Sequence, residues 1–163
     1  MRLSREVPKT FHARFSTKGK RYLYQFQVSP HSSPLNRLTH AHVIYPLDEK
    51  IMQEEARDLV GTHDFAAFAA SGSVVRDTVR TIYRAEVRRQ GEDVVFTVLG
   101  DGFLYNMVRI LTGTLVDVGR GRICPEQMTE ILDAKDRQAA GHTAPPFGLY
   151  LAKVYYEEGE LYG

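Results

Sequence analysis

Apolar and polar positions alternate along Arg21–Val28, with Tyr22, Tyr24, Phe26 and Val28 at one parity, and this period of two predicts a strand. A Ser- and Pro-rich loop follows at Ser29–Pro34, and a short strand is expected around His40–Ile44. Asp48 stands where a helix N-cap belongs. Acids follow it, Met52, Ala56, Leu59 and Val60 form an apolar side, and Gly61 lies past the end. Thr78–Gln90 alternates again, whereas Val94–Leu99 is apolar at both parities, as in a central strand; Gly91-Glu92-Asp93 between them suits a hairpin turn. From Leu104 to Val118 the apolar spacing becomes helical, with Met107, Val108, Leu111, Leu115 and Val118 on one stripe and Gly119 and Gly121 at the end. Pro125 occupies a favoured first helical position for a short helix running to about Ala134. A flexible loop over Ala139–Phe147 then leads to a last strand, Leu149–Tyr156. The expected class is α+β, a mostly antiparallel sheet with helices packed on one face. The folded unit is expected over residues 11–157, with 1–10 as a tail or incoming linker and 158–163 as a C-terminal tail.

With 163 residues, 43% hydrophobic and 25% charged, the chain has the composition of one globular domain, which excludes disorder as its overall state. No apolar run reaches membrane-spanning length and the opening residues lack a signal-peptide core, so a cytoplasmic location is expected. A lone Cys124 forms no internal disulfide and offers no paired-cysteine zinc site. Its place before Pro125 could lower a thiol pKa, but no histidine accompanies it, and a buried small residue is expected.

Charge changes the picture. The net charge is +1, yet residues 1–37 hold eight of the 21 Lys and Arg and a single acid, Glu6. Such a patch attracts polyanions. Arg76, Arg80, Arg84 and Arg88 share parity, so four guanidinium groups are expected on one strand face, successive ones about 13 Å apart, as phosphate-backbone contacts or as the wet face of a sheet. His40 and His42 share a strand face, but no third metal ligand stands at a suitable spacing. Asp77, among arginines, is explained by an ion pair.

Four blocks carry a stronger signal. They are Phe11-His12-Ala13-Arg14-Phe15-Ser16 with Lys20-Arg21-Tyr22-Leu23-Tyr24, then Gly61-Thr62-His63-Asp64-Phe65, Phe103-Leu104-Tyr105-Asn106-Met107-Val108-Arg109, and Gly148-Leu149-Tyr150-Leu151. In order and spacing, over residues 11–156, they resemble the C-terminal half of the tRNA pseudouridine synthase A family. The resemblance implies isomerisation of uridine to pseudouridine in the anticodon stem-loop of tRNA, without metal or organic cofactor, by a homodimer. It also implies an essential Asp in an Arg-Thr-Asp-x-Gly-x-His motif of the N-terminal half, a motif these residues do not contain. By the same resemblance Tyr22 lies against the target uracil, Arg109 partners the catalytic Asp and Leu149 supports the base from its apolar side. Arg14, Lys18, Lys20 and Arg21 are expected on RNA phosphates, with Arg76, Arg80 and Arg84. The alternative is a stand-alone RNA-binding or dimerisation module without activity.

Overall fold

In a computed structural model, which describes residues 6–70, 72 and 75–161, the architecture is organised around β1 (Gly19–Val28). One edge of β1 pairs antiparallel with β5 (Asp93–Gly100). Its other edge is shared. The first half pairs antiparallel with β6 (Leu149–Tyr155), and the last three residues pair in parallel with β2 (Ala41–Val43). Beyond β5 lie β4 (Val79–Gln90) and then β3 (Gly61–Asp64), both antiparallel. The sheet is therefore mostly antiparallel, and β3 is a strand that its short, half-polar sequence does not announce.

Three helices cover one face: α1 (Glu49–Asp58), α2 (Met107–Gly119) and α3 (Met128–Ala134). Tyr24 and Phe26 of β1, Phe96 and Val98 of β5, and Ile82 of β4 meet Met52, Ala56, Met107, Leu111 and Leu115 in one continuous core. None of these helices is long and apolar enough to cross a membrane. The expected class is the observed one. Beyond the expected boundary at residue 157, Leu161 is buried against Leu99 and Tyr155, so the segment expected as a tail is docked at least that far.

Several expectations change at element ends. Asp48 caps α1 by accepting the amides of Lys50 and Ile51, as its position predicts, but Val60 is 43% exposed because the helix stops at Asp58. The second helix begins at Met107 rather than Leu104, and it is buried almost all round, Arg109 excepted, because α1 and the 139–148 loop enclose it with the sheet. Pro125 does not open α3. Glu126 takes a left-handed turn at φ +71° and the helix starts at Met128, so Cys124 is exposed and not at a helix start. The reason lies on α1, where the buried Glu55 carboxylate accepts the amides of Glu126 and Met128 (3.0 Å for the latter) and caps α3 from a distant part of the chain.

The arginine row is also corrected. Between Ile82 and Arg84 the register against β5 slips by one residue, a bulge that moves the core parity from even to odd. Ile82 faces the helices and so do Ala85 and Val87, whereas Arg84 and Arg88 lie on the opposite face, both paired with Glu86. Arg80 stays on the helix side and Arg76 precedes the strand. Asp77 makes no ion pair among the described residues; it accepts the Val79 amide at 3.0 Å and starts the strand.

Replacing Glu55 with Ala should strand two amides at the start of α3 and lower unfolding free energy by about 1–3 kcal/mol, read from the urea midpoint. Glu55→Gln, which keeps one acceptor oxygen, should lose less.

Candidate active site

At the end of β5 the chain turns through Asp101–Asn106 into α2. Asp101 locks the turn to β4, its amide donating to the Thr81 carbonyl and its carboxylate accepting the Thr81 amide, both at 3.0 Å. This fixes Phe103, whose ring meets Tyr22 edge-on at 5.1 Å. Asn106 then adopts a left-handed conformation, φ +60°, which Asn tolerates better than most residues. Its side chain makes no helix cap; Oδ1 instead accepts from the Arg109 guanidinium at 3.0 Å.

The second clamp on Arg109 comes from the loop before β6. Arg109 Nε donates to the Ala144 carbonyl at 2.7 Å, and the Ala144 amide donates back to the Arg109 carbonyl at 3.0 Å. The expected flexible loop is thus a docked one. Gly113 of α2 has no room for a Cβ, which would fall 1.8 Å from the His142 carbonyl, and a Cβ at Gly148 would fall 2.3 Å from the Gln25 carbonyl and 2.7 Å from the Tyr24 ring. The Tyr24 hydroxyl donates to the Pro145 carbonyl. Further back, Asp117, 3% exposed, accepts from both the amide and Nδ1 of His142 while its other oxygen lies 2.7 Å from Arg120. Burial pushes the Asp117 carboxyl up, but the two hydrogen bonds from His142 and the charges of His142 and Arg120 outweigh it and hold the group below the usual carboxylate range.

Tyr22, Arg109 and Leu149 come together around Tyr24. Tyr22 precedes Tyr24 on the same face of β1, Leu149 is registered opposite Tyr24, and the Arg109 charge partly offsets the rise that burial imposes on the Tyr24 phenol. Burial also pushes the half-buried Tyr22 phenol up, and its hydroxyl has no hydrogen-bond partner among the described residues. Arg109 makes no ion pair among them either. Its acceptors are neutral, so its orientation is fixed while its charge stays uncompensated. Two exposed aromatics stand on the segments that carry these residues, Tyr105 in the turn before α2 and Phe147 before β6. The arrangement holds a cation ready for an anionic group beside aromatic and apolar walls.

The basic residues do not form one surface. Lys20 shares strand parity with Tyr22, and the Arg80 side chain lies against Gly102 beside Phe103. Arg21 lines the groove on the other sheet face with Arg84 and Arg88. Lys18 pairs with Glu158 at 3.3 Å and Arg14 stacks over Phe15. Arg2 and Arg5 lie outside the described residues. His40 and His42 engage separate partners, the former Thr39 and the latter the Ser29 carbonyl. Asn106, Phe103 and Tyr24 were not singled out for the site from the sequence. Asn106 carried a signal, since Asn is favoured immediately before a helix.

An α+β domain with an arginine held beside a tyrosine at its helix–sheet junction is the class defined by this geometry. Residues 56–157 match the tRNA pseudouridine synthase family. The chain is 46% identical over 94% of its length to tRNA pseudouridine synthase A of Exiguobacterium sp., 49% over 92% to that of Lacticaseibacillus casei, and 48% over 94% to that of Acetivibrio thermocellus. It belongs to the tRNA pseudouridine synthase family. The chain spans about 60% of the length of the curated relatives it matches.

The Asp117–His142 latch titrates in a defined direction. Because the folded carboxyl titrates below its unfolded value, its contribution is complete above the ordinary carboxylate pKa and is lost as pH falls through the lower folded one. Urea unfolding between about pH 5 and pH 2 should therefore show stability falling with acid, with a shallower fall in Asp117→Asn.

Proposed function

We propose that this chain supplies the tyrosine, arginine and leucine walls of a cleft in which uridine of the tRNA anticodon stem-loop is isomerised to pseudouridine. The observation that carries this is Arg109, clamped by Asn106 and Ala144 with no counter-charge among the described residues and close enough to Tyr24 to act on its phenol, while the Tyr22 hydroxyl on the same face of β1 has no partner among them. A carboxylate is the natural complement of that guanidinium, and a bidentate pair would fix its position. The Asp of an Arg-Thr-Asp-x-Gly-x-His segment, which is not among these residues, fills that role.

The target nucleotide leaves its stack at a cost of a few kcal/mol and needs surfaces to receive it. Tyr22 and Leu149 provide them, and the Tyr22 hydroxyl is placed to exchange a hydrogen bond or proton with the base. The reaction breaks the C1′–N1 bond, turns the uracil and forms C1′–C5. The C5 proton is lost and N1 gains one, so nothing is oxidised or reduced. Lys20, Arg80 and Arg14 approach the RNA through phosphates, as is usual for structured RNA. Arg21, Arg84 and Arg76 belong to this footprint only if RNA also wraps the other sheet face and the segment before β4. The edge of β6 away from β1, unpaired among the described residues and with Leu151 exposed, suits pairing with further chain, either the remaining family segment or a second copy.

Tritium release from C5-labelled uridine in tRNA tests the proposal. The isolated chain should release none, and the chain joined to a segment carrying the Asp motif should be active. In that active protein Arg109→Ala should reduce turnover at least about a hundredfold, the scale of leaving a buried charge without its partner. Tyr22→Phe, which keeps the ring, should lower turnover with little change in KM. Robust release by the isolated chain would overturn the assignment of the catalytic acid and make Asp77 the first residue to mutate.

A further inference from the structure

We propose that a second recess, between α2 and the 137–143 segment, is a subsite for an RNA backbone phosphate; this rests on the chain being a tRNA-binding one. The recess has a volume of about 660 Å³ and is separate from the Tyr22–Arg109 cleft. Arg122, Arg137, His142 and Thr143 contribute its polar lining, with Ile123 beside them and Asp117 at its base.

Its charge is positive and largely uncompensated. Among the described residues Arg137 donates to neutral oxygens alone, the carbonyls of Ala140 and Gly141 and the Thr143 hydroxyl, so it shapes the segment while keeping its charge. Arg122 is exposed and makes no ion pair among the described residues. Asp117 is the one carboxylate in the lining, and it is already occupied by Arg120 on one oxygen and His142 on the other. That contact engages His142 through Nδ1 and leaves Nε2 without a partner among the described residues, on a side chain 44% exposed. Two guanidinium groups and an imidazole lining one recess are a donor set for a phosphate oxygen cluster.

Placement distinguishes a nucleic-acid phosphate from a free one. Asp117 follows Arg109 by eight residues on α2, about 12 Å along the helix. The 139–148 loop runs between the two positions, touching Arg109 through Ala144 and lining the recess through His142. A strand whose target nucleotide enters the cleft is then a few nucleotides from the recess. The two sites are tied by the same loop, so a phosphate in the recess would also steady the Ala144 clamp on Arg109.

The test measures tRNA binding by this chain as a function of salt, together with the His142 imidazole signals in NMR. Arg122 is exposed, so Arg122→Ala should fold normally, weaken tRNA binding several-fold and reduce the salt slope by about one. Arg57→Glu, on an exposed part of α1, controls for bulk charge and should change affinity less than Arg122→Glu does. Addition of tRNA should shift the His142 signals, less so in Arg122→Ala, whereas inorganic phosphate at equal phosphate concentration should shift them weakly. Lys20→Ala and Arg80→Ala separate this inference from the proposed function. If they weaken binding while Arg122→Ala and the His142 signals do not respond, the subsite is wrong and the RNA-binding cleft stands. If the unaltered chain binds no tRNA, both fall. A strong His142 response to inorganic phosphate alone would overturn the RNA assignment in favour of a free-phosphate site.

Discussion

The site depends on the reciprocal bonds between Arg109 and Ala144. The Ala144 amide donates to the Arg109 carbonyl, and the Arg109 side chain donates to the Ala144 carbonyl, so each residue fixes the other. The contact forms only because the loop lies directly on α2, which requires the missing side chain at Gly113 and the close approach of Gly148 to Tyr24. From it follow the orientation of Arg109, the position of the Tyr24 hydroxyl against Pro145, and the point at which β6 begins with Leu149 opposite Tyr24. The Arg109 guanidinium, the Ala144 amide and carbonyl, the Tyr24 hydroxyl and the Asp117 carboxylate all find partners in this seam, which is what makes a loop without regular structure tolerable inside the protein.

Two electrostatic solutions occur along the same helix. At Asp117 a buried carboxylate is surrounded by His142 and Arg120 and its charge is absorbed within the chain. At Arg109 the guanidinium is held by carbonyl and amide oxygens, which orient a cation without neutralising it. The first arrangement ties structure together. The second leaves a directed charge at the surface of a cleft, the condition under which a carboxylate from elsewhere gains most by docking there.

The bulge at Tyr83 divides the basic residues between the two faces of the sheet. Without it, Arg80, Arg84 and Arg88 would share the face of Ile82 and two guanidinium groups would point into the helix layer. One inserted residue instead turns Ala85 and Val87 inward and sends the later arginines to the open face, where Glu86 pairs with both.

Much of the architecture was legible in the sequence, because strands and amphipathic helices announce themselves by the period of their apolar positions. The alternation at Tyr22, Tyr24 and Phe26, the continuous apolar run of β5 and the Asp48 cap each follow from local chemistry and stand as expected. Tyr22, Arg109 and Leu149 enter through the resemblance and not through periodicity, which marks Tyr22 only as one position of an alternating strand and says nothing of a role for Arg109 or Leu149. What tertiary structure alone decided were features made by partners distant in the chain. Glu55 on α1 starts α3, three residues later than Pro125 alone indicates. Ala144, 35 residues away, aims Arg109. A register slip against β5 reverses the parity of β4 midway, which no count along β4 itself can reveal. Periodicity records which side of an element meets apolar surroundings, but it holds no information about which distant carbonyl or carboxylate will meet a given donor there.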